Sequence, residues 1–128
     1  MKITQCACHG DTLDRFVRPV VMAVLARHAD GLHGYLIAQE LRKLAMFADT
    51  PPDPTGLYRA LKLMEQEGYL ASWWDVEGSG PARHVYRLTE EGRDCLHHWV
   101  DTLQTYAGSV RKTVSFLRES TGLERMSR

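Results

Sequence analysis

The sequence has 128 residues, of which 44% are hydrophobic and 25% charged, which is typical of one globular domain with or without an oligomerisation arm. The 16 Lys and Arg residues balance 16 Asp and Glu residues, so the net charge disfavours a protein held to nucleic acid by a broad positive field. No run of about 18 apolar residues is present and the three cysteines are too few for a disulfide-stapled secreted fold, so we expect a cytoplasmic protein that makes no membrane contact.

Residues 1–12 are a polar N-terminal tail that contains the motif Cys6-x-Cys8-His9 and lacks the apolar core of a secretory signal. Two thiolates and an imidazole at this spacing could hold zinc, copper(I) or an iron–sulfur unit, or the thiols could sense redox state. Three ligands are one short of a closed tetrahedral site, and no second Cys-x-x-Cys half is present, which favours an idle tail. We expect no cofactor apart from this candidate centre.

Apolar residues at helical spacing predict two helices in the next part of the chain. The first begins near Pro19, which lacks the backbone N–H that a helix interior needs, and stops before Ala29-Asp30-Gly31. The second covers about His33–Met46. Its apolar stripe consists of Ile37, Leu41 and Leu44, with charged residues on the other side.

A third helix is predicted after a proline-rich loop that begins at Asp49. Asp53 followed by Pro54 is a typical N-cap and first-turn pair, and Gly68 provides the stop. The predicted buried stripe of this helix is Leu57, Leu61 and Met64.

Beyond Gly68 the composition changes to that of β-strands. Leu70–Val76 and His84–Leu88 are rich in aromatic and β-branched residues, and Gly78–Pro81 predicts the turn of a β-hairpin between them. Thr89 is the expected N-cap of a long last helix, whose first turn carries two glutamates where the helix dipole favours carboxylates.

The last helix has the clearest periodicity in the sequence. Its apolar residues recur in steps of four and three over about three heptads, which is typical of a coiled-coil seam. A second copy of the same helix, related by two-fold symmetry, would cover this stripe; the alternative is a helix folded back on its own domain. The predicted dimerisation residues are Leu96, Trp99, Val100, Leu103, Ala107, Val110, Val114 and Leu117.

These elements predict a mainly α protein with a small β-hairpin, in the order of a winged helix-turn-helix module followed by a long C-terminal dimerisation helix. The expected boundaries are a tail at 1–12, the winged helix-turn-helix domain at 13–93, the dimerisation helix at 94–120 and a second tail at 121–128.

Within this order, several short motifs are specific. They are His33-Gly34-Tyr35, Gly56-Leu57-Tyr58 with Leu61 and Glu65, Glu67-Gly68-Tyr69-Leu70, Gly80-Pro81-Ala82-Arg83-His84-Val85-Tyr86-Arg87-Leu88-Thr89, and Glu91-Gly92-Arg93. Their joint occurrence, over about Leu32–Leu96, resembles the PadR family of bacterial transcriptional regulators. The resemblance implies a homodimeric DNA-binding repressor of the small-subunit type, often released by a small molecule. The family usually has Gly-Thr-Leu-Tyr-Pro at the start of the third helix, where this chain has Thr55-Gly56-Leu57-Tyr58-Arg59.

A recognition helix must present side chains to base edges from one exposed face. On the third helix this face is predicted to carry Thr55, Tyr58, Arg59 and Lys62. The guanidinium of Arg59 suits the two acceptors of a guanine, whereas Tyr58 and Lys62 suit phosphate oxygens. The acidic residues Asp53, Glu65 and Glu67 offset this charge, so binding would use a few placed contacts. The alternative is an ordinary solvated helix face.

Other candidate DNA contacts lie outside the third helix. Ser79, Arg83 and His84 belong to the wing, which would touch the backbone or the minor groove; the alternative is an ordinary surface hairpin. Tyr35 could donate a hydrogen bond to a phosphate or could pack beneath the recognition helix.

Three tryptophans are candidates for a small aromatic effector site. Trp73, Trp74 and Trp99 could line a flat hydrophobic pocket near the dimer interface, although packing is the commoner role of such residues. The competing function is a winged-helix module that binds another protein and no DNA, which the neutral charge leaves open. The chain has no P-loop, G-x-S-x-G or H-E-x-x-H motif, so we do not expect an enzyme.

Overall fold

The computed structural model describes residues 16–47 and 49–122. Its elements in chain order are α1 (Val17–Ala26), β1 (Leu32–His33), α2 (Gly34–Arg42), a 3₁₀ helix (Ala45–Phe47), α3 (Pro54–Gln66), β2 (Leu70–Asp75), β3 (Arg83–Leu88) and α4 (Glu90–Thr121). This is the predicted winged-helix order. The chain divides into two compact units at the Leu96–His97 bond. None of the described helices combines the length and apolarity that a membrane crossing requires.

The core of the first unit is made by the apolar faces of α1, α2 and α3. The predicted stripe of α3 is fully buried, as are Ile37 and Leu41 of α2. Pro19 lies in the first turn of α1, where a helix has no partner for the missing N–H, so the helix begins at Val17 without interruption. The remaining core side chains are Val17, Val21, Met22, Val24, Leu25, Phe47, Leu70, Val85, Tyr86 and Leu88.

Two elements differ from the prediction. The α2 helix ends at Arg42 rather than near Met46, and the 3₁₀ helix that follows it buries Phe47. His33 belongs to a third strand, β1, which pairs antiparallel with β3 and gives the strand order β1-β3-β2. A strand of two residues has no periodicity of its own, since only its partner across the sheet defines it. The hairpin therefore has a partner strand that the sequence pattern did not indicate.

Thr89 joins the end of the hairpin to the end of α3. Its Oγ1 accepts a hydrogen bond from the backbone N of Gly92 at 3.0 Å and donates one to the carbonyl of Gly68 at 2.7 Å. Its backbone N donates to the carbonyl of Tyr69 at 3.1 Å. The predicted N-cap of α4 is therefore confirmed, and the same residue fixes the turn that follows α3.

Candidate nucleic-acid interface

The N-terminus of α3 is fixed by its cap. Oδ2 of Asp53 accepts a hydrogen bond from the backbone N of Gly56 at 3.1 Å, and Pro54 occupies the first helical position. The buried stripe holds one side of the helix against the core, so the other side is turned outward. Thr55, Tyr58, Arg59 and Lys62 are all exposed.

The acidic residues near this face have partners elsewhere. Asp53 caps the helix, Glu65 accepts a hydrogen bond from Oγ of Ser72, and Glu67 forms an ion pair with Arg18 of α1. Arg59 and Lys62 form no ion pair with any residue in the described ranges. Arg59 and Lys62 are therefore both available on the exposed face, because the three nearby carboxylates bond to other groups.

Tyr58 and Tyr35 lie where α3 meets α2. A Cβ placed on Gly34 would come within 2.5 Å of Cε1 of Tyr58, so the tyrosine ring rests directly on the first residue of α2. Tyr35 is 61% exposed, and its hydroxyl accepts a hydrogen bond from Nε2 of Gln39 at 3.0 Å. This exposure of Tyr35 favours contact with a phosphate over packing beneath α3.

A chain of hydrogen bonds connects α3 to both strands of the hairpin, and the sequence pattern did not indicate it. Oγ of Ser72 donates to Oε2 of Glu65 at 2.5 Å. Because the Ser72 hydrogen is used on Glu65, the Ser72 oxygen accepts from Nε2 of His84 at 2.8 Å, and Nδ1 of the same ring is hydrogen-bonded to the hydroxyl of Tyr86 at 3.1 Å. The hairpin and α3 are thus held together by polar contacts that link three elements.

The tyrosine at the end of this chain is a dependable donor. Burial raises the pKa of the Tyr86 phenol above its usual value of 10.0, and the Glu65 carboxylate and the Tyr58 phenol raise this pKa further. Tyr86 therefore stays protonated at physiological pH. The His84 ring also stacks on the Tyr86 ring, with the centroids 4.4 Å apart. Since both ring nitrogens of His84 have partners inside the protein, its clearest role is to position the hairpin.

The other predicted wing residues lie at the free end of the hairpin. Ser79 and Arg83 are exposed and line one recess together with Asp75, Gly78, Gly80 and Pro81. The loop is shaped at its start by Asp75, whose Oδ1 accepts from the backbone N of Glu77 at 3.1 Å. The recess thus holds a hydroxyl and a guanidinium, which suit a phosphate, together with the carboxylate of Asp75, the cross-strand partner of Arg83.

Comparison with known proteins decides the family. A profile described as the transcriptional regulator PadR-like family matches residues 21–98 of this chain. The chain belongs to the PadR-like family of transcriptional regulators. No curated protein matches the sequence.

Solved structures agree with the PadR-like assignment. A transcriptional regulator from Clostridium thermocellum is 22% identical with a TM-score of 0.70, over 80% of this chain and 96% of that one. A PadR family regulator from Eggerthella lenta is 26% identical with a TM-score of 0.62, over 85% and 97% of the two chains. A third, from Clostridium difficile R20291, is 23% identical with a TM-score of 0.65, over 77% and 98%. The fold is therefore that of PadR-type winged-helix regulators.

The predicted apolar seam lies on α4, the C-terminal helix of this PadR-like chain. Val100, Val110, Val114 and Leu117 are exposed large apolar side chains in the single chain. Leu96, Trp99 and Leu103 are half-buried, and Ala107 is exposed. An apolar row of this length on one helix is a candidate contact for a second helix.

Two of the tryptophans proposed to line an effector site point in opposite directions. Trp74 is opposite His84 across the β2–β3 pair, whereas Trp73 is opposite Val85. Adjacent strand residues project to opposite faces, so Trp73 and Trp74 do not line one flat pocket together. Trp99 belongs to the second unit.

The candidate metal or redox motif Cys6-x-Cys8-His9 lies outside the described residues. Within the described ranges, no group of three or more His, Cys, Asp or Glu side chains is placed to hold a metal ion.

Proposed function

We propose that this PadR-like regulator is a homodimeric repressor that binds operator DNA through α3 and the wing of each copy. The observation that carries the proposal is the outer face of α3, where Arg59 and Lys62 lie exposed while the nearby carboxylates bond to other groups. A helix with such a face fits the major groove, where a guanidinium can pair with both acceptors of a guanine. Winged-helix regulators use this helix for base recognition and the hairpin for the adjacent backbone.

Each exposed side chain has a role in this proposal. Arg59 reads a base, and Thr55 approaches the bases at the N-terminal end of α3. Tyr58 and Lys62 contact phosphates, as does the hydroxyl of Tyr35. At the wing tip, Ser79 and Arg83 contact the backbone. His84 was also predicted to contact DNA. We assign it the role of positioning the hairpin, because both of its ring nitrogens are hydrogen-bonded to Ser72 and Tyr86.

Dimerisation through α4 completes the proposal. The helix has 32 residues and carries the exposed apolar seam, which a second copy covers by two-fold symmetry. Two recognition helices related in this way address two half-sites in successive major grooves, so affinity depends on both copies.

The signal that releases the DNA is proposed to be a small molecule, a metal or a change of redox state, with Cys6, Cys8 and His9 as the candidate sensor. We expect a Cys6→Ser/Cys8→Ser variant to differ from wild type in metal content or in the response of DNA binding to reductant. Elemental analysis of untagged protein and gel shifts with and without reductant measure both. Identical results for the two proteins would show that Cys6 and Cys8 have no role in metal binding or in the release of DNA.

We expect Arg59→Ala to weaken operator binding by about 30-fold or more, because it removes one bidentate guanine contact, worth roughly 1–3 kcal/mol, from each half-site. Fluorescence anisotropy with a labelled duplex from upstream of the protein's own gene measures the loss. The matched control is Arg87→Ala, which removes the same charge from an exposed position on β3. Its affinity should stay within about twofold of wild type.

The same pair of variants separates DNA binding from a module that binds only proteins. Equal effects of Arg59→Ala and Arg87→Ala would contradict base recognition by α3. Wild-type protein that binds neither the upstream duplex nor random-sequence DNA at low salt would contradict the proposed function itself.

A further inference from the structure

We propose that Trp74 forms an additional contact with DNA, in which its indole packs against the deoxyribose wall of the minor groove beside the half-site read by α3. This inference rests on the proposed function, because it supplies a further contact to the same DNA. Trp74 is separate from the DNA contacts proposed above, which are made by the basic residues of α3 and by Ser79 and Arg83 at the wing tip.

The Trp74 side chain is ordered by packing on one face, although most of its surface is exposed to solvent. Its ring stacks on His84 with centroids 4.4 Å apart and an interplanar angle of 22°, and His84 in turn stacks on Tyr86. The histidine ring is itself fixed by its two hydrogen bonds. Nevertheless Trp74 is 61% exposed. A large apolar side chain that is exposed but already ordered loses little conformational entropy on binding, so it is suited to a contact surface.

The face of the hairpin that carries Trp74 is the face that meets α3. Cross-strand pairing puts Ser72, Trp74, His84 and Tyr86 on one side of the sheet. On that side Ser72 bonds to Glu65, and the phenol of Tyr86 is influenced by Glu65 and Tyr58. Trp74 therefore lies farther toward the wing tip on the same surface.

The part of α3 that faces this surface is also part of its outer face. Tyr58, Lys62 and Glu65 are spaced i, i+4 and i+7, so they form one stripe along the helix. Glu65 reaches the hairpin through its hydrogen bond with Ser72, and the exposed Lys62 lies one turn before it on the same stripe. A duplex seated on Lys62 passes beside the hairpin face that bears Trp74, which makes the two surfaces continuous.

The chemistry of the indole matches a sugar wall better than a phosphate or a base edge. Proteins that approach the minor groove often place apolar side chains against it, and such contacts carry little sequence information. The indole is neutral, so its contact releases no counterions. Its removal should therefore lower affinity without changing the slope of log affinity against log salt concentration.

The test compares Trp74→Ala with Trp73→Ala, which removes the same side chain from the next position, on the opposite face of β2, where Trp73 is 41% exposed. Anisotropy with the labelled upstream duplex and with a random-sequence duplex, over a range of salt concentrations, gives affinity and slope. We expect Trp74→Ala to weaken binding to both duplexes about tenfold with an unchanged slope. Trp73→Ala should stay within about twofold, and Lys62→Ala, which removes one phosphate contact from each copy of the dimer, should reduce the slope by about 2.

A second measurement does not depend on truncating the side chain. The chain has three tryptophans, so a Trp73→Phe/Trp99→Phe variant leaves Trp74 as the only indole. Its emission should shift when the upstream duplex is added to the full-length protein, and should not shift with small planar aromatic compounds alone. Should Trp74→Ala lose its far-ultraviolet circular dichroism, the emission of this single-tryptophan variant decides the inference, because it leaves Trp74 in place.

Several outcomes would overturn the inference while leaving the proposed function intact. They are wild-type affinity in a folded Trp74→Ala variant, an altered salt slope in that variant, an emission that DNA leaves unchanged, and an emission that responds to small aromatics only. Failure of the wild-type protein to bind either duplex would instead contradict the proposed function, so the two failures are distinguishable.

Discussion

Replacement of Val110 and Val114 by glutamate is expected to produce monomers and to lower operator affinity by about 100-fold or more. The two side chains are 42% and 40% exposed in the single chain and occupy adjacent seam positions of α4. A carboxylate buried against a second apolar helix costs several kcal/mol, which is enough to dissociate the proposed dimer. The monomer then loses the gain from binding two half-sites at once. Size-exclusion chromatography with light scattering gives the mass, and anisotropy gives the affinity.

A control with the same added charge separates the seam from general electrostatics. Thr105 and Ser115 are exposed on the side of α4 away from the seam. Their double replacement by glutamate adds two negative charges to the same helix but should leave the dimer and its affinity within about twofold of wild type. A seam variant that stays dimeric would contradict dimerisation through α4. A monomeric seam variant with wild-type affinity would contradict paired half-site recognition.

The elements with a regular period were predictable from the sequence. The buried side chains of α3 are those of its predicted stripe, and the Asp53 cap follows from the Asp-Pro pair. These features are local, because a helix face and its cap are set by residues within one or two turns. The exposure of Arg59 and Lys62 follows from the same periodicity.

The features that join distant parts of the chain were not predictable in the same way. The chain of hydrogen bonds from Glu65 to Tyr86 requires a side chain from α3, one from β2 and two from β3 to meet. Their meeting depends on the register of the hairpin and on how it packs against α3, and neither is written in any local pattern. His84 was therefore placed with the DNA contacts from its position near the wing, although its partners lie within the protein.

Gly92→Ala is expected to destabilise the first unit by about 3 kcal/mol and to lower its Tm by roughly 10 °C or more. Gly92 is buried in the first turn of α4. A Cβ at this position would collide with the carbonyl oxygen of Tyr69 and would lie 2.6 Å from Cδ1 of Leu88. The Tyr69 carbonyl is itself held by the backbone N of Thr89. The collision is thus with backbone at the junction of α3, the hairpin and α4, which cannot yield without breaking that junction.

The same substitution at Gly108 should have the opposite sign. Gly108 lies on the same helix, and a Cβ there would meet only the flexible end of Arg111, at 3.9 Å. Alanine is favoured over glycine in helices by up to about 1 kcal/mol, so Gly108→Ala should raise the free energy of unfolding. Because helix propensity favours alanine at both positions, the difference of about 4 kcal/mol between the two variants measures the collision with Tyr69 and Leu88. Urea unfolding followed by circular dichroism measures both. A Gly92→Ala variant as stable as Gly108→Ala would show that the start of α4 is not packed directly on the turn that follows α3.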